Sequence, residues 1–512
     1  MRLLIRDIGN PAKRVEIDAP RDEKLSRAIW LSGRVAPVPI CGGLALCGRC
    51  SAILQDPSPP LDEEIRYFSE AELASGWRLT CRRSVERDQT VYLPSASFRD
   101  EDSPIIFNPA PSCCLAIDLG TTSLEWRALS PEKNIANGKT LNPQAGAGAD
   151  IVSRLAVARR PDSPLASLAL AKINDIIDSL ENNGCEVKRL CVAANSAMTE
   201  ILLRKDISGL CQAPYSLSYA GDEILDIDYG SRELPTVIPP LLSPFIGGDA
   251  ACALLACEAE PIPAPFLLAD LGTNAEFMLL TKNGELFAAS APMGPALEGV
   301  GPACGGMAAP GAVVSYTLTP KGFEESLFAS GGDPKIGATG YLSLLAILSR
   351  MGLMTSAGRL VRSSATPMAE KLADKIFLDG NPTRVILPRN LYLDAADIEL
   401  LLKAKAAFSL AIKTLLASAK LSPDEINTFC LAGALGARAN IVDLVDLGFI
   451  PASFGERARV LPSAALDGAS LLALYPERLR LLSDLRSRAN IISLADDAKI
   501  FNAYLAEMKW IY

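Results

Sequence analysis

The chain of 512 residues contains no histidine. That absence removes the Ser-His-Asp hydrolases, the HExxH zinc enzymes, the Rieske clusters and every acid–base scheme built on imidazole. Chemistry must therefore come from thiols, carboxylates, amines, hydroxyls and backbone groups. No GxxxxGK[ST] stretch occurs, which excludes a P-loop nucleotide site. No apolar run reaches the roughly 18–20 residues of a membrane span, and Met1-Arg-Leu-Leu-Ile-Arg-Asp7 has too short an apolar core for a signal peptide. The net charge of −9 argues against a nucleic-acid partner, which calls for a basic stripe. A hydrophobic content of 49% with 21% charged residues is that of a folded, water-soluble protein. The length exceeds one core, so two or three domains are expected, in the cytoplasm.

Thirteen cysteines are present, and an odd number cannot form a complete disulfide framework. Cys113, Cys114, Cys185, Cys191, Cys211, Cys252, Cys257, Cys304 and Cys430 mostly lie in apolar surroundings and read as buried reduced thiols. The other four form a pattern. Cys41-Gly-Gly-Leu-Ala-Leu-Cys47-Gly-Arg-Cys50 has the spacing C-x5-C-x2-C, and Cys81 follows from a separate segment. Four thiolates so spaced can hold two irons and two bridging sulfides. Plant-type ferredoxins use C-x4-C-x2-C…C, one residue shorter in the first gap. Zinc is the alternative, although its usual paired CxxC arrangement is met only by Cys47 and Cys50. Residues 1–97 resemble the ferredoxin family throughout and predict a β-grasp, α+β domain. Its expected elements are strands at Leu3–Ile5 and Val15–Ile17, a helix carrying Leu25, Ala28 and Ile29, and strands at Ser51–Leu54 and Val91–Leu93. Arg49, Arg82 and Arg83 adjoin the ligands and would raise the potential of an anionic cluster or offer a docking surface for an acidic partner. Residues 98–112, with Pro104, Pro109 and Pro111, read as a short linker.

The remainder, 113–264 and 265–512, opens each half with the same phrase. Ile117-Asp118-Leu-Gly120-Thr121-Thr122-Ser123 returns as Ala269-Asp270-Leu-Gly272-Thr273-Asn274. In each copy an apolar strand runs into an aspartate, a glycine and hydroxyl or amide side chains, and a second strand follows. The glycine admits phosphate to backbone N–H groups, the side chains donate to it, and the aspartate can hold hydrated Mg²⁺. These hairpins resemble the phosphate loops of the actin, heat-shock chaperone and sugar-kinase superfamily, an α/β fold in which two RNase H-like lobes close over ATP. The turn Thr428-Phe-Cys-Leu-Ala-Gly433-Ala-Leu-Gly436 fits that superfamily's adenosine loop. It follows a long helical pattern from about 395 to 420, whose apolar face is interrupted by Lys405.

Further segments narrow the resemblance. Leu141-Asn142-Pro143-Gln144 through Asp150-Ile-Val-Ser153-Arg154, Ala194-Asn195-Ser196-Ala197-Met198-Thr199, Phe245-Ile-Gly247-Gly-Asp249, Gly294-Pro-Ala-Leu-Glu298-Gly299 and Leu466-Asp467-Gly468-Ala469 are similar to stretches of the reductive activators of corrinoid proteins. Ala275 and Ala434 stand where that family carries glycine. The resemblance implies ATP-driven transfer of an electron from a [2Fe-2S] cluster on Cys41, Cys47, Cys50 and Cys81 to cob(II)alamin of a methyltransferase's corrinoid protein. An upstream low-potential donor would reload the cluster, in an anaerobic cell, and a homodimer remains open. It also implies that Asp118 and Asp270 position Mg²⁺, that Gly120, Thr121, Thr122, Gly272, Thr273 and Asn274 bind phosphates, and that Gly433 and Gly436 flank adenosine. Asp249, with Glu298 second, would orient the attacking water. Two other readings stay open: an ATP-coupled electron donor to a different metalloenzyme, and a redox-sensing binding protein that does not hydrolyse ATP.

Overall fold

The computed structural model describes residues 1–98, 108–230, 232–260, 262–272, 274–293, 295–299, 301–362, 366–378, 383–494 and 498–512. Residues 99–107, most of the expected linker, lie outside these. The chain forms two compact units. Met1–Cys252 with Ala465–Ser483 make the first, and Ala253–Ala464 with Asp484–Tyr512 make the second.

Two sheets build the first unit. In one, β1 (Arg2–Asp7), β2 (Arg14–Asp18), β3 (Ser51–Leu54), β4 (Trp77–Leu79) and β5 (Gln89–Leu93) take the order β2-β1-β5-β3-β4, with β1 parallel to β5. Leu3 and Ile5 alternate inward along β1, as period-2 patterning requires. The hairpin between β1 and β2 is fastened by the Asp7 carboxylate, which accepts from the Gly9 N–H at 2.8 Å and the Ser95 hydroxyl at 2.5 Å. The helix Leu25–Trp30 lays Leu25, Ile29 and Trp30 on this sheet. This is the β-grasp arrangement. The stretch after Pro60 forms two short helices, Asp62–Tyr67 and Glu70–Ala74, because Ser69 starts a new capping box with Glu72.

The other sheet contains β6 (Ser112–Leu119), β7 (Ser123–Leu129), β8 (Asn134–Leu141), β9 (Glu186–Ala194), β10 (Glu223–Asp228) and β11 (Glu233–Ile238), in the order β10-β11-β9-β6-β7-β8. Strands β6, β7 and β8 form an antiparallel meander; β9 runs parallel to β6 and β11 parallel to β9. The helices Leu165–Asn182 and Ser196–Leu202 supply the apolar face that covers it. The helix Ala464–Leu474 belongs almost wholly to this unit: Arg127 on β7 reaches Asp467 at 2.8 Å and the Ser470 hydroxyl at 3.3 Å.

The second unit repeats the plan. The strands β12 (Phe266–Leu271), β13 (Asn274–Leu280) and β14 (Leu286–Pro292) form the meander. An inserted three-stranded sheet holds β15 (Ala312–Thr319), β16 (Gly322–Leu327) and β17 (Lys335–Ile336), and another holds β18 (Ile376–Phe377), β19 (Arg384–Ile386) and β20 (Tyr392–Asp394). The parallel strands β21 (Thr428–Ala432) and β22 (Ala458–Leu461) then extend the main sheet beside β12, and β23 (Ala489–Ile491) closes its far edge. Both main sheets thus share the RNase H-like order, a meander followed by two parallel strands. The helix Ala395–Ala419 packs on β13 and β14, with Phe408 edge-to-face on both Phe277 and Phe449 at 4.9 and 5.4 Å. Lys405 breaks this apolar face for a reason: its buried ammonium donates to the Ile511 carbonyl at 2.6 Å and lies 3.7 Å from Glu507, tying the final residues to the helix. Among the described residues no helix is long and apolar enough to cross a membrane.

Within the first unit the β-grasp sheet is docked on the RNase H-like sheet, not merely tethered to it. Leu31 enters the second sheet's apolar core, the Ala149 N–H donates to the Ile40 carbonyl at 2.8 Å, and Arg160 pairs with Glu23 at 2.5 Å. Gly146 sits so close beneath Trp30 that an added Cβ would lie 2.8 Å from the Trp30 carbonyl carbon. A Gly146→Val substitution should therefore overpack this seam and destabilise the protein by about 1–3 kcal/mol. Thermal unfolding would read the loss, and limited proteolysis would show the first hundred residues released before the rest.

Candidate functional site

The cysteine loop is wound by left-handed residues, with φ of +63° at Gly42, +96° at Gly43, +58° at Ala45 and +64° at Gly48. Close approach fixes two of them as glycine. A Cβ on Gly48 would lie 1.5 Å from the Tyr67 hydroxyl, and one on Gly42 would lie 2.1 Å from the Ser153 Oγ. Cys41, Cys50 and Cys81 are buried and Cys47 is half-buried. The thiols gather two by two, Cys41 hydrogen-bonded to Cys47 and Cys50 to Cys81. In each pair the bond favours thiolate on one member. The hydrogen bond from Cys47 draws Cys41 down to about 5, and that from Cys50 draws Cys81 down, while both donors are pushed up. Thr80 fastens the fourth-ligand segment by donating its N–H and hydroxyl to the Cys50 carbonyl at 3.1 and 2.8 Å.

Two thiol pairs are the donor set of two irons that share bridging sulfides. A tetrahedral zinc calls for its protein ligands around one point rather than in two separate pairs. The site therefore fits a [2Fe-2S] cluster. The arginines beside it do not behave as a free basic surface. Arg49 donates to the Pro39 carbonyl at 3.1 Å, Arg82 pairs with Glu63 at 2.7 Å, and Arg83 bonds the buried Glu64 carboxylate at 3.0 Å. Glu64 also accepts from the Leu61 and Leu79 N–H groups, so Arg83 belongs to the scaffold under the Cys81 segment. What the loop presents to solvent is apolar: Leu44 and Leu46 are 66% and 68% exposed.

The first phosphate hairpin lies in the same unit. Asn142 donates its side-chain N–H to the Gly120 carbonyl at 2.7 Å and its backbone N–H to the Thr122 carbonyl at 2.9 Å. The buried Arg154 guanidinium donates to the Thr121 carbonyl. In a trans peptide the C=O and the following N–H point opposite ways. Donors behind the turn therefore aim the Thr121 and Thr122 N–H groups away from themselves, as an anion-binding nest requires. Asn195 donates to the Thr121 hydroxyl at 3.1 Å while capping the helix Ser196–Leu202.

Asp118, at the end of β6, and Asp249, in the first turn of the helix Gly248–Ala259, are close enough that both fields bear on the Cys252 thiol. That thiol is pushed up chiefly by burial, then by Cys191, then by these carboxylates. Burial pushes Asp249 itself up to about 6, against opposing backbone hydrogen bonds from the Ala250 N–H, at 2.8 Å, and from its own N–H. Two carboxylates beside a phosphate nest can hold hydrated Mg²⁺, and an acid near pH 6 can pass between its states under working conditions. Sequence reasoning flagged Asn142, Arg154 and Asn195 only as parts of similar segments and gave them no role; polar residues set among small and apolar ones were the available signal.

In the second unit Asp270, one residue before the end of β12, lies in register with Ala432 on β21. Gly433, at φ +77°, brings its backbone against that carboxylate, where a Cβ would lie 2.4 Å from Asp270 Oδ1. Gly436 packs its turn on Leu271 and Leu431. The expected adenosine turn and second hairpin are therefore neighbours. Gly272 donates its N–H to the Asn274 carbonyl at 2.9 Å, and Thr273 lies outside the described residues. Ala275 costs the hairpin no close approach, since its methyl faces the core and is fully buried. Glu298 ends a 3₁₀ turn, Pro295–Glu298, and its side chain lies outside the described residues.

Asp249 yields a prediction with a fixed sign. Its folded pKa of about 6 lies above the ordinary 3.8, so the stability it contributes in its protonated form is lost as pH rises from about 4 to 6. At pH 7, without nucleotide or Mg²⁺, Asp249→Asn should be more stable than the parent by on the order of 1–3 kcal/mol. Below pH 4 the difference should vanish. Thermal melts across pH check this, and phosphate release should fall at least 100-fold in the same variant.

Comparison with known proteins places this geometry. Residues 113–260 match a family profile described as the RACo middle region, and residues 264–511 match one described as the C-terminal domain of RACo, the ASKHA domain. The chain is 24% identical over 414 residues to corrinoid activation enzyme RamQ of Eubacterium limosum, covering 76% of this chain and 69% of that protein. It is 23% identical over 368 residues to the [Co(II) methylated amine-specific corrinoid protein] reductase of Methanosarcina barkeri, covering 63% of each. A solved reductive activator for corrinoid, iron-sulfur protein shares the fold, with a TM-score of 0.64 at 20% identity over 99% of this chain and 98% of that one. The duplicated RNase H-like sheets, their aspartate hairpins and both profile matches agree: the chain belongs to the RACo family of corrinoid activators, with its ASKHA-type domain.

Proposed function

We propose that this protein uses ATP to drive reduction of the corrinoid of a partner protein, from cob(II) to cob(I), in a reducing cytoplasm. The observation that carries the reading is that one compact unit holds two hydrogen-bonded thiol pairs and a Gly120–Thr122 turn whose carbonyls are held from behind, with Asp118 and Asp249 both acting on the Cys252 thiol. The names of the relatives from E. limosum and M. barkeri support it. A [2Fe-2S] cluster held by Cys41, Cys47, Cys50 and Cys81 would supply single electrons at low potential, refilled by an upstream donor.

The chain's own residues do the rest. Thr121, Thr122, Thr273 and Asn274 donate to phosphates, Asp118 and Asp270 orient hydrated Mg²⁺, and Gly433 with Gly436 leave room for adenosine. Asp249, with Glu298 as the second choice, orients the attacking water. The corrinoid partner comes from a methyltransferase system. It meets the cluster loop at the exposed Leu44 and Leu46, because the neighbouring arginines are committed to internal partners.

The test is anaerobic. Reconstituted protein, a reductant and a corrinoid protein in the cob(II) state are mixed with and without Mg·ATP, and cob(I) is followed by its visible absorbance. The expected result is at least tenfold more cob(I) with ATP, about 1.4 kcal/mol of coupling, and loss of both cob(I) and phosphate release in Asp270→Asn. Equal cob(I) without ATP would overturn the coupling. Phosphate release with no corrinoid reduction would favour a different metalloenzyme as the acceptor, and nucleotide binding without phosphate release would favour a redox sensor.

A further inference from the structure

We propose that Arg154 and Ser153 link the two sites of the first unit, so that phosphate on the Gly120–Thr122 turn is felt at Cys41. Resting on the reading above, this link names a route by which nucleotide reaches the cluster loop. Arg154 is fully buried, and its guanidinium is shared between the two ends. One nitrogen donates to the Thr121 carbonyl; Nε donates to the Gly148 carbonyl at 3.0 Å; Nη1 donates to Gln144 Oε1 at 3.2 Å and approaches the Met198 sulfur at 3.4 Å. Gln144 in turn donates to the Leu165 carbonyl at 2.9 Å, which fixes the guanidinium against the helix behind it.

A single residue, Ala149, separates Gly148 from the segment that enters the cysteine loop. Ala149 donates its N–H to the Ile40 carbonyl at 2.8 Å, and Ile40 is bonded to Cys41. Alongside, the Ser153 hydroxyl lies over the Gly42 Cα, so close that Gly42 admits no side chain. Asp150 holds Ser153 there by accepting from its N–H at 2.8 Å and its hydroxyl at 2.7 Å. Arg154, Gly148, Ile40 and Cys41 are buried and Ala149, Asp150 and Ser153 half-buried, while Gly42 is exposed; the contacts are to backbone at both ends.

Coupling between sites needs an element that both ends bias. Here it is the Thr121–Thr122 peptide. A phosphate accepting from the Thr122 N–H pulls that peptide one way, and Arg154 pulls its carbonyl the other. Any rotation of the peptide changes the Arg154 bond, and Arg154 carries the change to Gly148, Ala149 and the Ile40–Gly42 backbone. These are positioning residues: neither Ser153 nor Arg154 need touch the nucleotide or the cluster.

Hydrogen exchange on the cluster-loaded full chain tests the link without measuring corrinoid reduction. In the parent, saturating Mg·ATP should slow exchange of the amides in residues 38–46 at least threefold. In Ser153→Ala, affinity for Mg·ATP and cluster absorbance should be kept while that slowing falls below about half. In Arg154→Lys, which loses the planar fork but keeps the charge, Mg·ATP should bind more weakly and the slowing should be absent at saturation. If Arg154→Lys does not fold, Ser153→Ala decides alone. Unchanged exchange in the parent with nucleotide bound, or full slowing in folded Ser153→Ala, would overturn the link and leave the proposed function standing. Absence of any Mg·ATP binding would overturn the nucleotide reading, and the link with it.

Discussion

A guanidinium that is wholly out of water must have its donors satisfied, because a buried cation without partners costs many kcal/mol. Arg154 meets that demand with backbone carbonyls and an amide drawn from three places: the Thr121 turn, the Gly148 turn and Gln144. The consequence is mutual. Those carbonyls cannot rotate away without stranding the cation, so the phosphate turn and the seat of the cysteine loop are held in fixed orientation by one side chain. Much of the first unit's local geometry depends on this constraint, since it aims the N–H groups of the turn outward and holds Gly148–Ala149 where Ile40 can bond to it.

The cysteine loop shows the same economy of backbone contact. Its curvature comes from four left-handed residues, and its position from the Tyr67 and Ser153 side chains pressing on two of them. Charge plays a smaller part than the arginine content suggests, because Glu63 and Glu64 absorb Arg82 and Arg83. An apolar rim suits an encounter that must form and break: two exposed leucines bury little area, and transient electron-transfer interfaces are small.

Much of this was legible in the sequence, and the limits are physical. Period-2 patterning located β1 and β2, and the repeated Asp-Leu-Gly-Thr phrase announced two related hairpins, since strand, tight turn and strand are local features. The thiol spacing singled out four cysteines but not their pairing, because which of them approach each other depends on where β4 and the following turn bring Cys81. Lys405 could not be understood from its helix, as its partners lie about a hundred residues away at Glu507 and Ile511. Arginines near the ligands looked available because their carboxylate partners are contributed by another segment. Ala275 looked costly as a missing glycine, yet on β13 its methyl points into the core.

The two hairpins descend from one plan but have come to serve different neighbours. In the first, Leu119 pairs with Leu124; in the second, Leu271 pairs with Ala275, one residue nearer in the chain. The first turn offers its Thr121 carbonyl to Arg154. The second turn is backed by β21 instead, and its aspartate is approached by Gly433, a residue that can come so close only because it has no side chain. One copy of a duplicated fold is thus fastened through a buried cation to the segment behind the cysteine loop, and the other through a bare backbone to the turn after β21. A buried arginine beside the first hairpin and a single glycine after β21 give the two copies different neighbours.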